Sequence, residues 1–234
     1  MLREFKDQVK RGTNPRSRFY KCLRGFYRLL RGASRPCKSI RAFRRALKKS
    51  SIFTEEEELS GCSLFPEPLL DASVKIFEPS SVLDVGCGTG RSLDYFLARG
   101  VEARGVEGSS LGISKAAHPE HIFQWDLNEE LNLKRKFDLV WCYEVAEHIH
   151  PEFVHSLVKT LTNHSNLILM SAAHPGQGGV GHFNEQPRDY WIARFAQYGY
   201  EHDDGSTRQL QDVWKWQAEN LFVFRAVQSA HQVV

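Results

Sequence analysis

The segment Val82-Leu83-Asp84-Val85-Gly86-Cys87-Gly88-Thr89-Gly90 constrains the fold of this chain more than any other. An apolar run, broken only by Asp84, enters a turn with glycine at every second position, and a helical pattern follows over 91–99. A run this short, bounded by a turn, reads as a strand buried on both faces. Strand, glycine turn and helix together open an α/β sheet of the kind that binds ligands at the carboxyl ends of its strands. Glycines without Cβ let the backbone take positive φ and approach a ligand closely. The spacing disfavours a nicotinamide-dinucleotide site. Counted from Gly86, the G-x-G-x-x-G fingerprint needs its third glycine at 91, where this chain has Arg91.

From Ser81 onward, strand and helix signals alternate. Strands are predicted at 81–86, 102–107, 121–126, 137–143, 166–172 and 221–227, and helices at 91–99, 109–117, 151–163, 187–198 and 206–218. This order predicts a mainly parallel sheet covered on both faces. A short helix is expected from Leu69 to Phe77, after Pro66 and Pro68.

Charge divides the chain unevenly. Residues 1–50 hold 17 of the 31 Lys and Arg and two acids, Glu4 and Asp7, for a net +15, and the remaining 14 basic and 26 acidic residues give −12. Phe19, Leu23, Phe26, Tyr27 and Leu30 recur at helical spacing within this basic segment, and Ile40, Phe43 and Leu47 repeat the pattern. The reading is a basic amphipathic extension over 1–54 attached to a globular domain over 55–234. Three roles stand for it: lying on an anionic membrane surface, following nucleic-acid phosphates, or resting in solvent or on the acidic body. The apolar stripe favours lipid. The five cysteines follow no C-x-x-C spacing, and no stretch is apolar enough to span a bilayer. The expectation is a reducing, cytoplasmic setting, peripheral to the inner face of a membrane.

The Asp84–Gly90 segment resembles the first motif, D-x-G-x-G-x-G, of the class I S-adenosylmethionine-dependent methyltransferases. That resemblance implies a seven-stranded, mainly parallel, doubly wound α/β sheet of Rossmann-like type, with S-adenosyl-L-methionine as cofactor. It implies that Asp84 sits near the methionine amino group, and that the turn Gly86, Cys87, Gly88 and Gly90 packs against the methionine and ribose. Glu107 ends the second strand, where a carboxylate can accept both ribose hydroxyl protons. Asp126-Leu127, after the third strand, matches the family's adenine contact. Gly108, Tyr143 and Glu144 complete the implied cofactor surroundings.

Glu144-Val145-Ala146-Glu147-His148-Ile149 resembles the E-V-x-E-H-I segment of small-molecule methyltransferases of the quinone-biosynthesis type. Methyl transfer is an in-line displacement, so positioning and exclusion of water dominate, and a base is needed where the acceptor is a hydroxyl. His148, oriented by Glu147 or Glu144, is the expected base; the other reading packs it against the sheet or at a helix cap. His150 and His155 extend the histidines without matching a zinc template, so no metal is expected. The glycine-rich stretch 173–187 reads as a substrate loop. On it His182 is a further catalytic candidate, and Asn184 and Gln186, with Tyr190 and Trp191 beyond, are candidate substrate contacts. Asn184 also suits a helix cap.

Amino-methylating nucleic-acid enzymes resemble one another in a D/N-P-P-Y/F/W motif that is missing here, and Pro36-Cys37 lies in the basic segment rather than at a strand end. The expected activity is methylation of a hydroxyl on a small molecule, glycan or lipid-linked intermediate. The rivals are a nucleic-acid methyltransferase guided by the basic arm and a cofactor-binding adaptor without catalysis.

Overall fold

The computed structural model describes residues 65–179 and 181–227. The basic segment 1–54 and its expected helices lie outside the described residues. Seven strands form one sheet: β1 (Ser81–Val85), β2 (Glu102–Glu107), β3 (Ile122–Gln124), β4 (Leu139–Cys142), β5 (Leu167–Ser171), β6 (Tyr200–His202) and β7 (Leu221–Ala226). Their order is β3-β2-β1-β4-β5-β7-β6. Neighbours are parallel from β3 to β5, and β7 pairs antiparallel with both β5 and β6. The helices are α1 (Glu67–Phe77), α2 (Arg91–Ala98), α3 (Ser110–Ser114), α4 (Val154–His164), α5 (Arg188–Ala196) and α6 (Asp204–Val213).

Alternation along the strands makes two apolar layers. Val82, Leu139, Trp141, Leu169 and Val223 face α1, α2 and α6, which contribute Leu69, Phe96 and Leu210. Leu83, Val140, Ile168, Met170 and Phe224 face the other way, against Leu157 and Leu161 of α4 and Phe195 of α5. On α4 the buried Val154, Leu157, Val158 and Leu161 recur at helical spacing, and that stripe is what docks on the sheet. Asp203 caps α6, its Oδ1 accepting the Ser206 N–H at 2.9 Å.

The six expected strands lie where the chain forms strands; β2 spans its expected residues, and the other five are shorter by one to three residues in all. The seventh, β6, follows Gly199 and spans three residues at the sheet edge, too short to show a period of two. The expected helix 206–218 stops at Val213, because Trp214 takes extended backbone. The chain runs outward through β1, β2 and β3, then returns to place β4 against the other side of β1. That reversal is the topological switch point, and it sets the carboxyl ends of β1, β2 and β4 around one crevice.

Candidate functional site

Asp84 is buried at the end of β1, and its Oδ2 has no hydrogen-bond partner. Burial, and then the charge of Glu107, push this carboxyl up to about 8. An orphaned buried carboxyl oxygen calls for a cationic or donor group from outside the protein. Beyond it the turn is fixed sterically: Gly86 has φ +78°, and a Cβ there would lie 2.4 Å from Val145 Cγ2. Val145, on the segment after β4, therefore occupies the space that the missing side chain leaves. Cys87 packs onto β2, where a Cβ on Gly105 would meet its Sγ at 2.6 Å.

Glu107 ends β2 with its carboxylate held on both oxygens: Oε2 accepts the Gly88 N–H at 2.9 Å and Oε1 accepts the Ser109 N–H at 2.7 Å. Burial raises its pKa against the pull of these donors. Backbone donors on both oxygens aim the group, and four lone-pair positions on a carboxylate are more than these bonds fill. Gly108 lies tight against the chain after β3, where a Cβ would be 3.3 Å from the Trp125 carbonyl oxygen. Asp126 Oδ1 accepts both the backbone and side-chain N–H of Asn128, at 2.9 and 2.8 Å, which shapes the turn that buries Leu127.

The chain leaving β4 is strained at the site. Glu144 adopts φ +57°, a left-handed conformation that costs a non-glycine residue about 1–3 kcal/mol and clusters at functional positions. Ser171, at the end of β5, holds it there: its hydroxyl accepts the Glu144 N–H at 2.6 Å and donates to Glu144 Oε1 at 2.7 Å. Tyr143 stacks on Trp141, and its hydroxyl accepts the Trp214 Nε1–H at 3.1 Å.

One turn further, Glu147 is fully buried: neither oxygen accepts from a protein donor, and its carboxyl pairs with that of Glu144. Burial, and then the charge of Glu144, hold its carboxyl well above the usual carboxylate range. The His148 ring lies across that of His182, with centroids 5.0 Å apart. Its Nδ1 is 3.1 Å from the Gly181 carbonyl oxygen, which can only accept, so the network assigns the proton to Nδ1 and leaves the lone pair on Nε2. Burial, and then the charge of His182, push the His148 imidazole down to about 3. It is neutral, and a weak proton acceptor.

The glycine-rich loop is stitched to this segment. The Phe183 and Asn184 N–H groups both donate to the Glu147 carbonyl, at 2.9 and 3.0 Å, and Asn184 Nδ2 donates to the Ala146 carbonyl at 3.2 Å. Glu185 closes the loop on itself by accepting the N–H groups of Gly176 and Gly178. Gly179 makes room for the His182 ring, since a Cβ there would lie 2.3 Å from Nε2.

The fold thus brings Asp84, Gly86, Gly88, Glu107 and Glu144 to the carboxyl ends of β1, β2 and β4, with Glu147, His148 and His182 forming a separate group beside the last. Asn184 is fully buried and spends its amide on Ala146 and on the Gln186 Nε2–H, so it is placed as a loop anchor; Pro187, not Asn184, occupies the cap of α5. Trp191, on α5, is fully buried in the core layer that also holds Val145, Ala146 and Ile149. Tyr190 is half-buried beside it. Sequence reasoning missed Ser171, Val145 and Glu185, which shape the site from a distance. Only Ser171 carried a local signal, as the polar residue that ends an apolar run.

A model of the methyltransferase domain matches residues 56–220. The ubiquinone biosynthesis O-methyltransferase of Rhodopseudomonas palustris is 30% identical over 83 residues, 33% of this chain and 33% of that protein. The chain spans about a third of the length of the curated relatives it matches. Among solved structures, the Burkholderia thailandensis 1,6-didemethyltoxoflavin-N1-methyltransferase aligns with a TM-score of 0.58 at 15% identity, covering 84% of this chain and 94% of its own. The sugar N-methyltransferase KedS8 from Streptoalloteichus aligns with a TM-score of 0.55 at 18% identity, covering 84% and 96%. The chain belongs to the methyltransferase-domain family, and its fold is that of the class I S-adenosylmethionine-dependent enzymes.

Proposed function

We propose that this methyltransferase binds S-adenosyl-L-methionine through Asp84, Gly86, Cys87, Gly88, Gly90, Glu107, Gly108, Asp126, Leu127, Tyr143 and Glu144, and methylates a hydroxyl of a small molecule or sugar. The observation that carries the reading is the orphaned buried Oδ2 of Asp84 beside the doubly anchored Glu107. A methionine ammonium fits the first carboxyl, and vicinal ribose hydroxyls fit the open lone pairs of the second. When bound, the cofactor would supply its methyl group to an acceptor oxygen lone pair, with the S–CH3 bond pair going to sulfur and the hydroxyl proton to solvent water.

Glu147, His148 and His182 face the acceptor and orient its hydroxyl, and the loop anchored by Asn184 shuts water out over them. Gln186 and Tyr190, at the loop's end, border the acceptor. The oxygen-acceptor reading draws support from the O-methyltransferase named among the curated relatives, and the sugar option from the sugar N-methyltransferase among the solved structures. For residues 1–50 we propose attachment to an anionic membrane surface, supported by their +15 charge and apolar stripe. The same charge supports a second reading in which nucleic acid is the acceptor.

The test is incubation with methyl-labelled cofactor and a panel of phenols, sugars and RNA, followed by mass spectrometry of the products. A methyl ether on a phenol or sugar is expected. Label on RNA alone would move the acceptor to nucleic acid, and cofactor binding with no transfer to the panel or to cell extract would leave the adaptor role.

A further inference from the structure

In the proposed site the cofactor residues stand at the ends of β1, β2 and β3, which leaves the rim formed by β4, β5 and β7 for the acceptor. Leu221, which starts β7, lies opposite Ser171, which ends β5, because these two strands are antiparallel. The stretch before β7 therefore reaches the same rim as the chain leaving β4 and β5. It is joined to both. The Trp214 Nε1–H donates to the Tyr143 hydroxyl at 3.1 Å, and the Ala172 N–H donates to the Asn220 carbonyl at 3.0 Å.

Asn220 organises this rim from beneath. It is 1% exposed, and its Nδ2 donates to Gln177 Oε1 at 2.8 Å and to Gln217 Oε1 at 3.2 Å, while its Oδ1 lies 3.3 Å from His174 Nδ1. One buried amide thus gathers the glycine-rich loop and the stretch before β7. With both glutamine oxygens turned to Asn220, each glutamine keeps the two N–H donors of its Nε2 unspent among the described residues. Gln217 is held at φ +47°, a left-handed conformation that is strained for a non-glycine residue and recurs at ligand clamps. Next to it in the chain is Trp216, 43% exposed, its ring 6.2 Å from that of Trp214.

An indole face is electron-rich and takes the C–H groups of a saturated ring, and amide N–H groups take neutral oxygens. The cations bordering this stretch hold partners already, which disfavours an anionic ligand: Lys215 Nζ donates to Asp212, and Arg188 donates to the Glu219 and Leu221 carbonyls. We infer that Trp216, Gln177 and Gln217 form the subsite that recognises the acceptor, that it takes the ring of a neutral sugar, and that Asn220 is its positioning residue. The inference rests on the small-molecule or sugar reading above and narrows it to sugar.

The experiment is calorimetric titration of the full-length protein, saturated with S-adenosylhomocysteine, with methyl glycosides of neutral hexoses, the corresponding hexose 6-phosphates and simple phenols. The wild type is expected to bind a neutral glycoside more tightly than its phosphate or any of the phenols. Trp216→Ala and Gln177→Glu should each weaken that binding by about 3–10-fold, the range that loss of one neutral contact spans. Trp216→Phe should keep most of it, and affinity for S-adenosylmethionine should stay unchanged in all three variants. Neither side chain is buried, so these changes leave the core untouched. No binding of any glycoside, tighter binding of phosphates or phenols, or glycoside binding unchanged in either Trp216→Ala or Gln177→Glu would overturn the subsite. Methyl transfer to a phenol at full rate in Trp216→Ala would also overturn it while leaving the methyltransferase reading intact. Wild-type protein that binds no S-adenosylmethionine would instead remove the reading on which the subsite rests.

Discussion

Glu107, at the carboxyl end of β2, accepts the backbone N–H of Gly88 at 2.9 Å and so ties the second strand to the glycine turn. One carboxylate therefore shapes the turn and, in the proposed cofactor site, would also face the ribose. Glu107→Ala should lower cofactor affinity by about 10–100-fold, as expected from losing hydrogen bonds to a charged group worth about 1.5–3 kcal/mol. Stability should also fall, by about 1–3 kcal/mol, since the Gly88 and Ser109 N–H groups lose their acceptor. Calorimetric titration and thermal unfolding measure the two effects separately, and unchanged affinity would remove Glu107 from the site.

Gly86 is expected to tolerate no side chain while Val145 is present. Gly86→Ala places Cβ 2.4 Å from Val145 Cγ2 at a φ of +78°, so overpacking and backbone strain act together and destabilise by about 2–4 kcal/mol. Val145→Ala in the same chain should return the steric part only. A double-mutant cycle in urea checks this; strict additivity of the two changes would show that the contact does not govern the turn.

Asp84 gives the ligand-free protein a distinctive pH dependence. Its folded pKa of about 8 stands above the ordinary value of 3.8, so between these limits the folded chain holds a proton that the unfolded chain releases. Stability through this group is therefore highest at low pH and falls as pH rises toward 8; Asp84→Asn should flatten that slope. A bound ammonium favours the ionised carboxyl, so cofactor binding near pH 7 should release a proton. Calorimetry in buffers of different ionisation enthalpy reads that release, and binding without proton release would leave Asp84 unpaired with the ammonium.

Residues 1–54 are expected to be dispensable for cofactor binding and to carry salt-sensitive attachment to anionic bilayers. Each basic residue near such a surface contributes on the order of 1 kcal/mol before screening. Co-sedimentation of full-length and truncated protein with anionic liposomes, neutral liposomes and RNA at two ionic strengths tests this. Full-length protein that binds RNA and ignores anionic liposomes would reverse the assignment.

What the sequence made legible was local. Asp84, the glycines and Glu107 could be placed because a strand, its turn and the end of the next strand follow within a few tens of residues, and the α/β alternation fixes where strand ends meet. Glu144 to His148 could be placed as one segment after β4. The partnership of His148 with His182 could not, because the two are 34 residues apart and only the path of the loop brings their rings together. Trp191 and Asn184 look alike on paper, one aromatic and one polar residue near a loop; in the fold the first fills the core and the second ties backbone to backbone.

The backbone bonds at Glu147 have a mechanical meaning. The N–H groups of Phe183 and Asn184 converge on its carbonyl, while its carboxylate looks the other way, toward His148 and His182. The loop cannot swing clear of β4 without surrendering both bonds, and the residue that loses them is the one whose side chain must be aimed. Any opening of the loop would break both bonds together, so two peptide hydrogen bonds couple the position of the loop to the aim of the side chain they hold.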